Sequence, residues 1–183
     1  RLLLAAESVV LDAEGIVARL SGIYGPERSV ILKKFLSGEA VIEVRALSLN
    51  FRDILIAKGL YNPKLRLPAI PTSDAAGIVA AVGPGVTRVR VGDRGMTHFV
   101  AGWLDGPMQS EYLKTTLGTP GPGMAAQRAA LSAEALLPIP ADYSFAEAAT
   151  LPIAALTAWS ALVTEGALRS GQTVLTLGTG GVS

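Results

Sequence analysis

The sequence contains no cysteine and only one histidine, His98. Without cysteine, disulfide bonds and thiolate metal sites are excluded, and a single histidine cannot form a histidine cluster. A catalytic zinc site built from cysteine and histidine ligands is therefore excluded by the residue inventory.

The chain also lacks a strong excess of charge and a long apolar run. Its 16 basic and 15 acidic residues leave a net charge of +1, and aromatic residues are only 5% of the total, so no basic surface for nucleic acid is indicated. In the opening RLLLAAESVVLDAEG, Glu7, Asp12 and Glu14 interrupt the apolar residues before the ~18 that a membrane span requires. No signal-peptide cleavage pattern follows. We expect a cytoplasmic protein that acts on a small-molecule substrate, with no nucleic-acid or membrane partner.

Half of the 183 residues are hydrophobic, enough for a sizeable core, and their pattern changes near residue 41. The spacing predicts a helix over 2–13, a strand over 16–20 and a helix over 29–38, which is α/β in character. A strand is predicted over 41–50. The runs GIVAAVG and VTRVRVGDRG, bounded by glycine and proline, then predict the short strands of a small barrel or sandwich.

The second half combines a loop with helices. Residues 102–123 are polar and rich in glycine and proline, which predicts a surface loop, and alternation returns around 129–137. Two helical pieces follow, the first opened by a capping box of Ser144 and Glu147, and Pro152 separates them.

The last segment, TVLTLGTGGVS, has a β-branched run that leads into clustered glycines. This pattern is typical of the first strand and phosphate-binding loop of a dinucleotide-binding domain, where Gly178, Gly180 and Gly181 would let a pyrophosphate approach the backbone. The alternative is a coincidence in a glycine-rich tail.

Residues 71–95, PTSDAAGIVAAVGPGVTRVRVGDRG, follow the pattern G-x-V-x-x-V-G-x-G-V and then V-G-D-R. The pattern resembles the GroES-like catalytic domain of the medium-chain dehydrogenase/reductase superfamily, which includes quinone oxidoreductases and enoyl reductases. The segments RALSLNFRDILIAKGLY and EAATLPIAALTAWSAL are similar to that family in the same order, so the resemblance covers about 41–183. It implies an α+β fold: a GroES-like β-barrel domain, incomplete at its N-terminus, over 41–143. Bridging helices and the truncated start of a Rossmann domain would follow over 144–183.

Zinc-containing members of this family carry Cys at the position of Asn50 and a His-Glu pair at the positions of Ser73 and Asp74. The resemblance therefore implies the zinc-independent branch, in which Asn50 would face the nicotinamide and the substrate and serve in catalysis. The alternative is that Asn50 only caps a short helix. Arg52 and Asp53 are expected to pair with each other or with the scaffold rather than to act on substrate.

The resemblance also implies binding roles beyond Asn50. Tyr61 would line the substrate pocket, or else belong to the core. Thr157 would lie near the nicotinamide, although a helical threonine can instead bond the carbonyl four residues back. The pyrophosphate would contact Gly178, Thr179, Gly180, Gly181 and Val182.

The first 40 residues do not fit this pattern. Their run R-L-S-G-I-Y-G-P-x-R-S resembles a strand and substrate-side loop of extended short-chain dehydrogenases and nucleotide-sugar epimerases, without that family's glycine loop or Tyr-x-x-x-Lys pair. We expect an α/β segment foreign to the main family, joined near 40–44 by gene fusion or an assembly artefact. The alternative is an unusual N-terminal extension. The initial Arg and the final glycine loop suggest that sequence is missing at both ends.

The function implied is hydride transfer between NADP or NAD, with NADPH favoured, and a quinone, activated alkene, carbonyl or alcohol, without zinc. Conjugate reduction suits the residues better than alcohol oxidation, because no histidine or cysteine offers an acid or base. The full-length parent is expected to be a homodimer, and the chain alone to be inactive because its cofactor domain is truncated. The alternative is a non-catalytic, truncated or chimeric module with a GroES-like core.

Overall fold

The computed structural model describes residues 11–12, 37–62, 64–65 and 69–178. Within them, six strands form one antiparallel sheet: β1 (Leu11–Asp12), β2 (Glu39–Ser48), β3 (Asp74–Val82), β4 (Arg94–Thr97), β5 (Arg128–Ser132) and β6 (Leu136–Pro138). The α-helices are α1 (Phe51–Ala57), α2 (Phe145–Ala149) and α3 (Leu156–Trp159). Turns of 3₁₀-helix lie at Ser110–Thr115 and Ala133–Ala135, and π-helical turns at Leu151–Ala155 and Ser160–Glu165 flank α3. No helix among these residues is both long and apolar enough to cross a membrane.

The long strand β2 organises the sheet. Strand β3 pairs along one side of it, while on the other side β5 pairs with residues 39–43 and β1 with residues 46–47. Strands β4 and β6 extend the sheet beyond β3. The apolar residues of β2 and β3 are buried because the sheet packs its inner face against the segments that follow. The largest side chains of this core are Ile42, Leu47, Val79, Leu117, Met124 and Leu136.

Gly77 allows β2 and β3 to approach closely. A Cβ atom at this position would lie 2.1 Å from the carbonyl oxygen of Glu43, a distance that no side chain can adopt. The register of the two strands also shifts between Val44 and Ala46. Glycine is therefore required where the sheet bends.

Several local predictions are confirmed. Strand β2 forms over 39–48, and all of GIVAAVG except its last glycine lies in β3. The surface loop predicted over 102–123 is confirmed only in part, because residues 116–119 within it are buried. The Ser144 hydroxyl accepts a hydrogen bond from the Glu147 N–H, and the Glu147 carboxylate accepts one from the Ser144 N–H, as the capping box predicts. These features depend on residues close in sequence, which explains why local patterns reveal them.

Two predictions for the first 100 residues are wrong. VTRVRVGDRG is not a strand up to residue 93, because the Asp93 carboxylate accepts a hydrogen bond from the Arg90 N–H and forms a turn; β4 begins only at Arg94. The helix predicted over 2–13 does not include its last residues, since Leu11–Asp12 form β1. Beyond the end of β5, β2 still has open backbone groups, and β1 pairs with them. Other predicted elements lie outside the described residues. These are the rest of the helix over 2–13, the strand over 16–20 and most of the helix over 29–38.

The segment after β6 only partly follows the predicted pattern. Pro152 does not break the chain between two helices but lies in the first turn of the helix that continues to Glu165, where its missing N–H costs little. The strand predicted over 173–177 is not formed, because a strand needs a hydrogen-bonded neighbour and no described residue pairs with this segment. Leu175 and Leu177 are accordingly more than 80% exposed.

Candidate functional site

A cluster of buried polar residues lies where β2 ends and β3 begins. The sheet register pairs Ser48 with Asp74, so the turn after β2, with Asn50, comes close to the residues that precede β3. Aliphatic residues fill most of the core, and this cluster is the exception to it. Its buried polar members are Asp53, Thr72, Ser73, Asp74, Thr97 and Thr119.

Asn50 precedes α1 in an extended conformation, with φ −110° and ψ 158°. Its backbone N–H donates a 2.8 Å hydrogen bond to Oδ2 of Asp53, and its carbonyl accepts a 2.9 Å bond from the Asp53 N–H. Asn50 is thus the N-cap residue of α1 and forms a capping box with Asp53, as the helix-capping alternative predicts. The side-chain nitrogen Nδ2, however, is buried and makes no close hydrogen bond. The expected role of this amide toward nicotinamide and substrate remains a prediction.

Asp74 is the first residue of β3 and is 1% exposed. Oδ1 accepts a 3.0 Å hydrogen bond from the Ser73 hydroxyl, and Oδ2 accepts a 3.1 Å bond from the Ile153 N–H. Burial raises the pKa of Asp74 from 3.8 to about 6; the Asn50 side-chain amide, the Ser73 hydroxyl and the Ile153 N–H oppose that rise, while the Asp53 charge adds to it. Sequence analysis did not assign Asp74 a role. The signal was a carboxylate at the head of an otherwise apolar strand.

Asp53 is a second buried carboxyl beside Asn50. Burial raises its pKa, and the Asn50 N–H, the Arg52 charge and the Thr72 backbone act in the opposite direction. Its Oδ2 atom is bonded to Asn50, while Oδ1 has no hydrogen-bond partner. Two titratable carboxyls with raised pKa values thus lie on either side of Asn50.

Arg52 is held by two aromatic rings and one carbonyl. Its guanidinium carbon lies 4.8 Å from the ring centres of both Tyr61 and Phe99, and Nη1 donates a 3.1 Å hydrogen bond to the Leu117 carbonyl. None of the ion pairs between described residues joins Arg52 to Asp53. Of the two expected partners, the scaffold is therefore the one that Arg52 contacts. Tyr61 is 44% exposed and so does not belong to the core.

Every buried side-chain nitrogen or oxygen that lacks a partner among the described residues belongs to this cluster or to the adjoining residues Asn50 and Arg52. Donor groups predominate: Asn50 Nδ2 and Arg52 Nε and Nη2 can only donate, the hydroxyls of Thr72 and Thr119 can donate or accept, and only Asp53 Oδ1 is limited to accepting. Thr72 also has a φ of +65°, an unusual conformation for a β-branched residue. The arrangement suits a ligand oxygen that carries negative charge.

A cavity of about 460 Å³ adjoins the cluster. Gly118 and Thr119 form one wall, and Lys64 lies in the lining as an exposed basic residue. Gly118 is also close to the cluster, since a Cβ there would lie 3.0 Å from both Arg52 Nη1 and the Thr72 carbonyl oxygen. Of the polar cluster, Thr119 lines the cavity, while Asn50 and Arg52 are not among its lining residues.

The residues predicted to bind the cofactor lie elsewhere along the chain. Thr157 is exposed in α3, one helical turn after Ile153, whose N–H is bonded to Asp74. Gly178 has a φ of +94° and belongs to none of the described strands. The remaining loop residues, 179–182, lie outside the described residues. Across the part of the chain that the structure describes, no three His, Cys, Asp or Glu residues are grouped as a metal would require.

The family of the chain follows from its similarity to known proteins. Residues 36–141 match the family described as the alcohol dehydrogenase GroES-like domain. The zinc-type alcohol dehydrogenase-like protein C1773.06c of Schizosaccharomyces pombe is 42% identical over 160 residues, covering 86% of this chain and 46% of that protein. This match is longer than residues 41–183 and therefore includes part of the first 40, a result that does not support their interpretation as wholly foreign.

Solved structures show the same likeness. An NAD-dependent alcohol dehydrogenase has a TM-score of 0.68 and 30% identity, over 78% of this chain and 43% of that one. Escherichia coli quinone oxidoreductase complexed with NADPH has a TM-score of 0.55 and 27% identity, over 71% of this chain and 33% of that one. The chain thus spans less than half the length of these similar proteins.

Proposed function

Because the chain belongs to the medium-chain dehydrogenase/reductase superfamily through its alcohol dehydrogenase GroES-like domain, we propose that it forms the substrate-side part of an NAD(P)-dependent oxidoreductase. The reaction would be hydride transfer between a nicotinamide and a quinone, an activated alkene, a carbonyl or an alcohol. The site residue is Asn50, with Arg52 beside it and Tyr61 at the exposed side of the Arg52 guanidinium.

The observation that carries this proposal is the excess of unpartnered donors, above all Asn50 Nδ2. When hydride adds to a carbonyl, a quinone or a conjugated alkene, the substrate oxygen gains negative charge. A donor fixed in a buried site stabilises that charge without the reorganisation that water would need. The Asn50 backbone is already fixed by Asp53, so its side chain is held ready for this role.

The donor set does not fit zinc. The positions at which zinc-containing members carry Cys, His and Glu hold Asn50, Ser73 and Asp74 here, and both Asp74 oxygens already accept hydrogen bonds. An amide and a hydroxyl lack the thiolate and imidazole character that Zn²⁺ prefers. We therefore propose a zinc-independent reaction, in which donors from the chain take over the stabilisation of substrate oxygen.

The residues on the proposed cofactor side have the chemical character that binding of a nicotinamide dinucleotide requires. Gly178 combines a φ of +94° with the absence of a Cβ atom, so a pyrophosphate can approach its backbone, and the exposed Thr157 hydroxyl is free to contact the cofactor. A bound NADPH or NADH would supply the hydride. NADPH is favoured over NADH; of the two similar structures, the quinone oxidoreductase holds NADPH, whereas the alcohol dehydrogenase is NAD-dependent.

A second candidate is a non-catalytic module with a GroES-like core. The unpaired residues 172–178 favour it, since a dinucleotide-binding domain needs its first strand in a sheet. Cofactor titration distinguishes the two candidates, because Trp103 and Trp159 report binding through their fluorescence. Absence of binding of both NADPH and NADH up to about 1 mM would support the module.

The direct test is an assay of NADPH and NADH oxidation by the protein expressed from its uninterrupted open reading frame. A quinone, an enone and an aldehyde serve as hydride acceptors. N50A should lower kcat/KM about 100-fold, as expected for loss of a donor to a developing oxyanion. The matched control is Q109A, which removes an exposed amide from the irregular 102–123 segment. Equal activity of N50A and Q109A would refute the proposed role of Asn50.

A further inference from the structure

Asp74 lies where three elements of the chain meet. It begins β3, it faces the side-chain amide of Asn50 before α1, and it accepts a hydrogen bond from the N–H of Ile153 at the start of the helix that contains Thr157. Asp74 and Ile153 are 79 positions apart in sequence. A single buried carboxylate thus connects the proposed substrate side with the helix of the proposed cofactor side.

We propose that Asp74 is a positioning residue that holds the Asn50 amide and the start of the Thr157 helix in one fixed arrangement. Its catalytic consequence rests on the proposed function, because Asn50 and Thr157 take their roles from it. The contact with Ile153 is a hydrogen bond, whereas the Asn50 amide lies near Asp74 with Nδ2 making no close hydrogen bond.

The helix beginning at Leu151 needs an acceptor from outside. Thr150 occupies the cap position, but its hydroxyl donates a 2.7 Å hydrogen bond to the Glu147 carbonyl and forms no cap. Pro152 has no N–H, so Ile153 carries an N–H of the first turn that has no partner within the helix. Asp74 provides the acceptor, and a bond to a carboxylate is stronger than one to a neutral oxygen.

The same carboxylate sets the orientation of the Asn50 amide. A carboxylate repels the amide oxygen and attracts the amide nitrogen, so the Nδ2 side of Asn50 is the side that faces Asp74. The NH₂ group has two hydrogens, and the one directed away from Asp74 remains available to a substrate oxygen. Asp53 fixes the backbone of the same residue through its N–H. Asn50 therefore has one carboxylate bonded to its backbone N–H and a second one near its side chain.

Three variants of the full chain test this proposal. D74A removes both contacts, whereas D74N keeps an oxygen for the Ile153 N–H but removes the charge that orients Asn50. The control T97V removes buried hydrogen bonds between Thr97 and the neighbouring residues Ser73 and Ala75 without touching Asn50 or Ile153. It therefore reports what a general loss of stability does.

The measurements are amide hydrogen exchange of residues 153–157 and the NMR resonances of the Asn50 side-chain NH₂ group. In D74A, exchange at Ile153 should accelerate about 10-fold or more relative to T97V, and the Asn50 resonances should move. In D74N, the Ile153 exchange rate should stay near that of the wild type while the Asn50 resonances still move. If D74A does not fold, the Asn50 side-chain resonances in D74N alone test the proposed orienting role of Asp74.

Unchanged Asn50 resonances in D74N, or Ile153 exchange in D74A no faster than in T97V, would overturn the proposal. Neither measurement needs turnover, so the positioning role can hold even if the assay of Asn50 fails. Where turnover is measured, D74N should lower kcat about 10-fold with little change in KM, because substrate still binds but meets a misdirected amide. An unchanged kcat would contradict the catalytic part alone.

Discussion

Replacing Asp74 with asparagine should change how stability depends on pH. The pKa of Asp74 is raised from 3.8 to about 6 in the folded chain, chiefly by burial. The folded state therefore holds this proton more tightly than the unfolded chain does. As pH rises from about 4 to about 6, the unfolded chain loses the proton first, and the free energy of unfolding falls.

The size of this fall follows from the two pKa values. The difference between 3.8 and about 6 corresponds to about 3 kcal/mol, fully present below the lower value and lost above the upper one. Asparagine has nearly the same shape as aspartate but does not titrate. In D74N, the free energy of unfolding should therefore not show the decrease that Asp74 causes. The smaller contribution of Asp53, whose pKa is also raised, remains in both proteins.

The assay is urea unfolding followed by tryptophan fluorescence at several values between about pH 3 and pH 8. Stability of D74N relative to the wild type should rise by about 3 kcal/mol over this range. D142N, which alters an exposed aspartate, should follow the wild type at every pH. Parallel curves for D74N and the wild type would show that Asp74 does not titrate as a buried group and would refute the reasoning.

Three further predictions concern the scaffold and the site. G77A should lower the free energy of unfolding by about 3 kcal/mol in urea unfolding, because its Cβ would overlap a carbonyl oxygen, whereas G95A should cost far less since its nearest neighbour is 3.7 Å away. S144A should lower stability by about 1 kcal/mol through loss of the helix cap, measured as a lower Tm; an unchanged Tm would contradict the cap. R52K should lower the free energy of unfolding by about 1 kcal/mol in urea unfolding, because an ammonium cannot stack as guanidinium does on Tyr61 and Phe99; wild-type stability would contradict a stabilising role of this stacking.

Local patterns were sufficient for part of the fold. The alternation in β2, the apolar run of β3 and the capping box at Ser144 involve residues within a few positions of one another. The turn at 86–93 was missed because alternating valines predict a strand, while the Asp93 carboxylate and backbone bonds to Val79 impose a loop. Strand β1 could not be foreseen either, since it depends on the open edge of β2.

Within the candidate site, the sequence predicted Asn50 but not the residues that surround it. Asn50 stands out through the motif around it, but the partners that hold it come from distant segments. Asp74 reaches Asn50 only through the register of β2 and β3, and Ile153 only through the packing of a helix 79 positions away. Burial, which raises the pKa of Asp74, is likewise a property of the folded chain and not of its sequence neighbours.

The close backbone contact beside the cavity has a consequence for protein engineering. At Gly123, which lines the cavity, a Cβ would lie 1.8 Å from the Ile70 carbonyl oxygen, so no larger residue fits there without displacing the main chain. Saturation libraries aimed at this wall would mostly return misfolded clones. Libraries that reshape this cavity should instead vary Asn62, Lys64 and Leu65, which line it away from that contact.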